Sequence, residues 1–280
     1  MQIKPLKMRW TVGGVNYSYL LSKLTPPSMR ATNWIIDPAE PGDIQSQLTV
    51  DEFQSITTIV NTHHHWDHSG GNLEFASLLT QRKSPEFIIG SRKSAALASS
   101  SIRLPQDGEV FDLGDSITVE AVRTPCHTQD SVCYLVHDSD HPNEYGIFTG
   151  DTLFTAGCGR FFEGTGDQMH SSLKHILKRT EGIWDKVKVY PGHEYTRSNI
   201  KFIRAKIWKN VGENPAFDKL EKIAAENEIL AGLFTLQDEL EFNPFMMLNN
   251  SYVRVAVGDS ENKLPETDVM SKLRELKDSF

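Results

Sequence analysis

The sequence predicts an α/β domain that leads into a smaller, wholly helical one, with the division between residues 193 and 194 (1–193 and 194–280). Three observations carry this reading. Short runs rich in β-branched and aromatic residues, closed by Gly, Pro, Asp or Asn, recur from Ile3 to Tyr190. Among them stand stretches whose apolar residues fall at helical spacing. From Thr196 onward only helical spacing remains. At 280 residues the chain exceeds the usual single-domain length, and its 39% apolar content supports a real core.

Residues 3–10 and 15–22 read as two strands around the Gly13-Gly14 turn, with Tyr17, Tyr19 and Leu21 alternating onto one side. Residues 34–38 form a short buried strand stopped by Asp37-Pro38, 42–53 a weak helix, and 56–61 a strand that runs into a histidine cluster. Asn72 is the expected cap of a helix whose apolar positions are Phe75, Leu78 and Leu79. Residues 86–90 return as a strand, whereas the small-residue segment 94–101 carries no clear signal. Further strands are expected at 109–113, 117–123, 131–137 and 145–149. Asp167 is the expected cap of a helix with Met169, Leu173, Ile176 and Leu177 on one stripe, and 187–190 closes the strand-rich part. In the helical part, Ile200, Ile203 and Ile207 share a face. Asn214-Pro215 starts a helix carrying Phe217, Leu220, Ile223 and Ala224, and 267–280 places Val269, Leu273 and Leu276 on one stripe.

Lys and Arg number 29 against 37 for Asp and Glu, a net charge of −8, which argues against a nonspecific nucleic-acid binder dependent on a basic field and leaves room for a local basic pocket. The three cysteines (Cys126, Cys133, Cys158) are odd in number and form no C-x-x-C pair, so reduced structural thiols are expected. That suits the cytoplasm, with a mitochondrial form left open. No apolar run approaches the roughly 20 residues of a membrane-spanning helix, and residues 1–10 show no signal-peptide pattern. A monomer without nucleic-acid or membrane partners is the expectation.

The chemistry concentrates in Thr62-His63-His64-His65-Trp66-Asp67-His68. A solvated loop needs no such density of ligands, and a purification tag would be terminal and without the Asp. If the chain leaves its strand extended, His63 and His65 project to one side and His64 to the other. A turn beyond Trp66 then presents Asp67 and His68 as a second pair, too far around to share one tetrahedral ion with the first. Two adjacent metals follow as an expectation. Three later loops, each flanked by Pro or Gly, add candidate ligands: Pro125-Cys126-His127-Thr128, Thr149-Gly150-Asp151-Thr152 and Pro191-Gly192-His193-Glu194. His137, His141, His170 and His175 lie in no ligand pattern.

In this order, T-H-x-H-x-D-H, P-C-H-T, G-D-T-L-F and P-G-H-E-Y resemble the metallo-β-lactamase superfamily, which implies an αββα sandwich with metals at one edge. The resemblance assigns His63, His65 and His127 to one metal, Asp67, His68 and His193 to a second, and Asp151 to a bridge between them. The run from Gly150 to Gly164, together with Gly192-His193-Glu194-Tyr195-Thr196 and Glu241-Phe242-Asn243-Pro244-Phe245, resembles glyoxalase II, the hydroxyacylglutathione hydrolase family, over nearly the whole chain.

That resemblance implies hydrolysis of S-D-lactoylglutathione to D-lactate and glutathione, a step of methylglyoxal detoxification. The expected agent is a hydroxide held between two divalent ions and oriented by Asp67 or Asp151. Zinc is expected first, and iron or manganese suits the same ligands. The helical domain would complete a glutathione pocket with contacts from Arg160, Phe161, Phe162, Tyr195, Arg274 and Lys277. Arg274 and Lys277, at i and i+3, can face one anionic group. Two departures stand out: Arg160-Phe161-Phe162 replaces the Lys-Phe-Tyr of many members, and Met247 replaces an Arg after Asn-Pro-Phe-Met. The rival reading is a persulfide dioxygenase with one iron, acting on glutathione persulfide.

Overall fold

The computed structural model describes residues 1–23, 32–79, 85–90 and 102–280; the segment 94–101, unassigned from sequence, lies outside them. Two sheets face each other. The first runs in the order β1 (Gln2–Met8), β2 (Asn16–Ser22), β3 (Asn33–Ile36), β4 (Ile56–Asn61), β5 (Glu86–Ile89) and β6 (Ile102–Arg103). Its first three strands are antiparallel and β3 to β6 are parallel. The second contains β7 (Val110–Leu113), β8 (Ile117–Arg123), β9 (Val132–Asp138), β10 (Tyr145–Gly150) and β13 (Val187–Pro191) in the order β13-β10-β9-β8-β7. A small hairpin, β11 (Leu153–Phe154) with β12 (Gly157–Cys158), follows β10.

Strand alternation sorts the side chains into layers. Tyr17, Tyr19 and Leu21 of β2 point between the sheets, with Val119, Val136 and Phe148 of the second sheet. Leu20 points the other way, into a cluster with Leu6, Ile35, Ile59, Ile44 and Phe75. That outer layer includes α1 (Pro41–Gln45), α2 (Val50–Gln54) and α4 (Asn72–Leu79). The expected weak helix at 42–53 is thus two short ones, the second started by a Thr49–Glu52 capping box. Asn72 is the first residue of α4, and its side chain turns to the end of β4, where its amide donates to Asn61 Oδ1 (2.5 Å) and its Oδ1 accepts from Asn61 Nδ2 (3.3 Å). Leu78 of the expected stripe is exposed.

Against the other face of the second sheet lies α5 (Gly166–Arg179), whose cap is Thr165 rather than Asp167. Asp167 sits instead in the first turn, where its charge suits the helix dipole. Met169, Leu173 and Ile176 of α5 join Leu135, Ile147 and Val189 of the sheet. The same cluster takes in α6 (Thr196–Lys206), α7 (Pro215–Glu226), α8 (Leu236–Phe242), α9 (Ser251–Ala256) and α10 (Glu266–Asp278), through residues such as Phe202, Leu220, Leu236, Val253 and Leu273. Burying each such side chain contributes roughly 1.5–3 kcal/mol, so the helical segment is bound to the αββα sandwich by a shared core. Among the described residues, no helix is long and apolar enough to cross a membrane.

Candidate metal centre

The four ligand-bearing loops leave the ends of β4, β8, β10 and β13. β8 and β10 run the same way and β10 is parallel to β13, and Val132 N donates to the Thr62 carbonyl (2.8 Å) just past β4, so these ends meet at one edge of the sandwich. Beyond β4 the backbone is fixed by Asp37, which accepts from Thr62 N (2.8 Å) and Thr62 Oγ1 (2.6 Å). The one-turn helix α3 (Trp66–Ser69) then carries Asp67 and His68 around to the same centre, the turn expected after Trp66. His64 is directed elsewhere: its Nδ1 lies 2.8 Å from Asp130 Oδ1.

Three triads of ligand atoms converge, His63/His65/His127, Asp67/His68/His193 and His63/His68/Asp151, the atoms of each lying within 4.8 Å of one another. His65 Nδ1 is 2.9 Å from His127 Nε2, and His68 Nε2 is 3.2 Å from His193 Nε2. Asp151 reaches both groups, with Oδ2 3.4 Å from His127 Nε2 and 3.3 Å from His193 Nε2, and Oδ1 3.3 Å from His68 Nε2. Asp67 Oδ2 is 3.6 Å from His193 Nε2. Gly192 permits this crowding, for a Cβ there would lie 2.5 Å from Asp151 Oδ1.

These residues fit divalent cations. Ligands of one tetrahedral ion at about 2.0–2.1 Å stand roughly 3.3–3.4 Å apart, and the separations above bracket that spacing. Among the described residues, the buried ligand atoms His63 Nε2 and Asp151 Oδ1 find no hydrogen-bond partner, a cost of about 1–3 kcal/mol each if nothing else bound them. Burial holds His63 well below the ordinary imidazole range, and it lowers His65 and His127 as well. Neutral imidazole is the ligand form. Burial works against charge on His68 too, yet Asp151 and Asp37 outweigh it and hold that ring well above its usual range. The space between those carboxylates therefore favours positive charge. Three of the outer ring nitrogens are also tied: His68 Nδ1 to Asp37 Oδ2 (3.0 Å), His63 Nδ1 to Thr62 Oγ1 (3.1 Å) and His127 Nδ1 to the Arg160 carbonyl (2.9 Å).

Comparison with known proteins places this geometry. A profile for the metallo-β-lactamase superfamily matches residues 32–193, and one for the hydroxyacylglutathione hydrolase C-terminus matches 194–280. The mitochondrial hydroxyacylglutathione hydrolase of Saccharomyces cerevisiae is 50% identical over all of this chain and 96% of its own length. The chain belongs to the hydroxyacylglutathione hydrolase family. The cytoplasmic isozyme of the same yeast is 48% identical over 99% of each chain. A crystal structure of ETHE1 from Myxococcus xanthus aligns over the whole of both chains with a TM-score of 0.58 at 21% identity, which shows the fold alone.

The six side chains expected to contact a glutathione group are placed as follows in this family member. Tyr195 stacks on His193, with ring centroids 4.6 Å apart and planes 7° from parallel. Phe162 is exposed and meets the rings of His65 (5.6 Å) and His127 (5.2 Å) edge-on. Phe161 is half-buried and packs against the core shared with the C-terminal helices. Arg160 Nε (3.1 Å) and Arg274 Nε (3.0 Å) both donate to Asp278 Oδ1. Lys277 donates to the Ser198 carbonyl (3.3 Å), and burial pushes its ammonium down to about 8.

Sequence reasoning missed several partners. Asp37 was read only as a strand stop, although it too lies just past a strand at the ligand-bearing edge, which was the available signal. Asn16, which donates to Asp67 Oδ2 (3.1 Å), and Asp278 carried no signal at all. The three cysteines are buried and free, as expected. His141, His170 and His175 lie beside carboxylates (Asp138, Glu266, Asp107), and His137 stacks on Tyr145.

Proposed function

We propose that this protein hydrolyses S-D-lactoylglutathione to D-lactate and glutathione, and so serves methylglyoxal detoxification. The observation that carries the reading is Asp151 reaching both clusters of histidines in a chain whose full-length relatives are named hydroxyacylglutathione hydrolases. In this reading His63, His65 and His127 would hold one divalent ion and Asp67, His68 and His193 a second, with Asp151 placed to serve both; zinc is the proposed metal. When bound, such ions supply Lewis acidity and an acidified water at neutral pH.

The chain's own residues do the rest. Asp67, steadied by Asn16, and Asp151 orient the attacking water by accepting its hydrogen bonds. Residues 1–193 form the catalytic unit and 194–280 the substrate-binding unit. Arg160, Arg274 and Lys277 hold the glutathione carboxylates, with Phe161, Phe162 and Tyr195 beside them. Arginine suits a carboxylate bidentately. Asp278 already engages both guanidinium groups, so an entering carboxylate competes with it. The leaving thiol, with an ordinary pKa of about 8.5, departs as thiolate without a dedicated acid. Buried free cysteines suit a reducing compartment, and the proposed setting is the cytoplasm, with a mitochondrial form left open.

Purified protein incubated with S-D-lactoylglutathione tests the reading. Loss of thioester absorbance with glutathione release, abolished by chelation and restored by zinc without oxygen uptake, is the expected outcome. Oxygen consumption with one iron per chain would move the assignment to a persulfide dioxygenase.

A further inference from the structure

The hairpin of β11 and β12 lies immediately after Asp151, yet its backbone is satisfied by side chains from the C-terminal helices. Asn243 Nδ2 donates to the carbonyls of Phe154 (3.3 Å) and Gly157 (3.0 Å). Asn199 Nδ2 donates to Thr155 O (3.0 Å), and Arg274 Nη1 to Cys158 O (3.0 Å). Ala156, in the left-handed region at φ 57°, points its N–H at Glu239 Oε2 (3.0 Å), which also accepts from Asn243 Nδ2 (2.8 Å). Glu239 and Asn243 are completely buried.

The hairpin exits directly onto the metal centre. A Cβ on Gly159 would sit 1.8 Å from the Asp151 carbonyl and 3.0 Å from His127 Nδ1, so the chain passes hard against both candidate ligands. One residue later, the Arg160 carbonyl accepts the His127 Nδ1–H and so leaves Nε2 free to face Asp151. A ligand ring oriented in this way depends on where that carbonyl stands.

We propose that Glu239, together with Asn243, is a positioning residue for the metal centre: it sets the hairpin, the hairpin sets the Arg160 carbonyl and the Asp151 backbone, and these aim His127 and Asp151. The helical segment is then a template for the metal centre as well as a substrate platform. This rests on His127 and Asp151 being metal ligands. The Glu239 carboxyl is driven by burial to about 8 and is mainly neutral at pH 7, which makes glutamine its close replacement.

The test compares wild type, Glu239→Gln, Glu239→Ala and Asn199→Ala, with Leu220→Ala as a control buried in α7 of the same segment. Each is loaded with cobalt(II); its visible spectrum, its rate of metal loss to excess chelator and its melting temperature are recorded. Glu239→Ala is expected to lose metal at least tenfold faster with an altered cobalt spectrum, Glu239→Gln to match wild type, and Leu220→Ala to melt lower with an unchanged spectrum. If Glu239→Ala does not fold, Asn199→Ala, which frees one hairpin carbonyl, is expected to show a smaller change of the same kind. Wild-type spectrum and metal retention in Glu239→Ala, or in Asn199→Ala where it alone folds, would overturn the proposal, as would equal metal loss in Leu220→Ala. Failure of wild type to bind cobalt at all would instead overturn the metal-centre reading on which it rests.

Discussion

Asp37 Oδ2 lies 3.0 Å from His68 Nδ1, while Nε2 of the same ring faces Asp151 and His193. One carboxylate thus orients an imidazole whose other nitrogen belongs to the candidate metal centre. Asp37 also has φ 51°, a conformation that Asp and Asn tolerate better than other side chains. Asp37→Asn is therefore expected to fold and to lower divalent-metal affinity by about 10- to 100-fold. Competition with a chromophoric chelator measures it, and unchanged affinity would detach Asp37 from the site.

Asp151 is where the two clusters are joined. Burial opposes its ionisation, but His193, His68 and His127 outweigh it and pull it well below the usual carboxylate range. Asp151→Asn keeps the shape and removes the charge. Thioester hydrolysis is expected to fall by at least about a hundredfold, because the positioning of metal and water is lost together. Steady-state kinetics with matched circular dichroism checks this, and a rate within a few-fold of wild type contradicts the role.

If Lys277 faces the substrate as proposed, it gives KM a pH signature. Burial, then Arg274, pushes its ammonium down to about 8. Below that pH it is a cation able to face a glutathione carboxylate; above it the charge is gone. KM is expected to rise as pH climbs through about 8, with kcat less affected. Lys277→Arg stays charged throughout this range and should flatten the rise. A KM profile identical in the two proteins would remove Lys277 from the pocket.

Glu239 has a separate consequence for stability. Its folded pKa is raised by burial from 4.5 to about 8, so between those values the native state holds a proton that the unfolded chain releases. The contribution of this group to stability therefore falls as pH rises from 4.5 to 8, with a limiting slope of about 1.4 kcal/mol per pH unit. Glu239→Gln removes the contribution. Denaturant titrations of both proteins at several pH values are expected to converge at low pH and separate toward pH 8, with the variant the more stable. Parallel curves would count against a buried neutral carboxyl.

The sequence by itself determined the parts of this protein that depend on local spacing. Strand alternation in residues 16–22 sorts Tyr17, Tyr19 and Leu21 from Leu20, and the pleat obeys it. The same rule separates His63 and His65 from His64, and Pro- or Gly-flanked loops mark His127, Asp151 and His193. Ligand-rich motifs are legible because each concentrates polar side chains where a strand ends.

Only the tertiary structure decided what supports them. The hydrogen bonds of Asp37 to Thr62, Glu239 to Ala156 and Asp278 to Arg160 join residues 25, 83 and 118 positions apart. No local pattern encodes such pairs. An isolated Asp or Glu reads from sequence as a turn former or a solvated charge, and becomes a positioning group only when folding sets it beside partners distant in the chain. The caps of α4 and α5 were missed for a related reason. Asn72 was claimed by a buried partner on β4, and Thr165 reached the free N–H groups of α5 before Asp167 could.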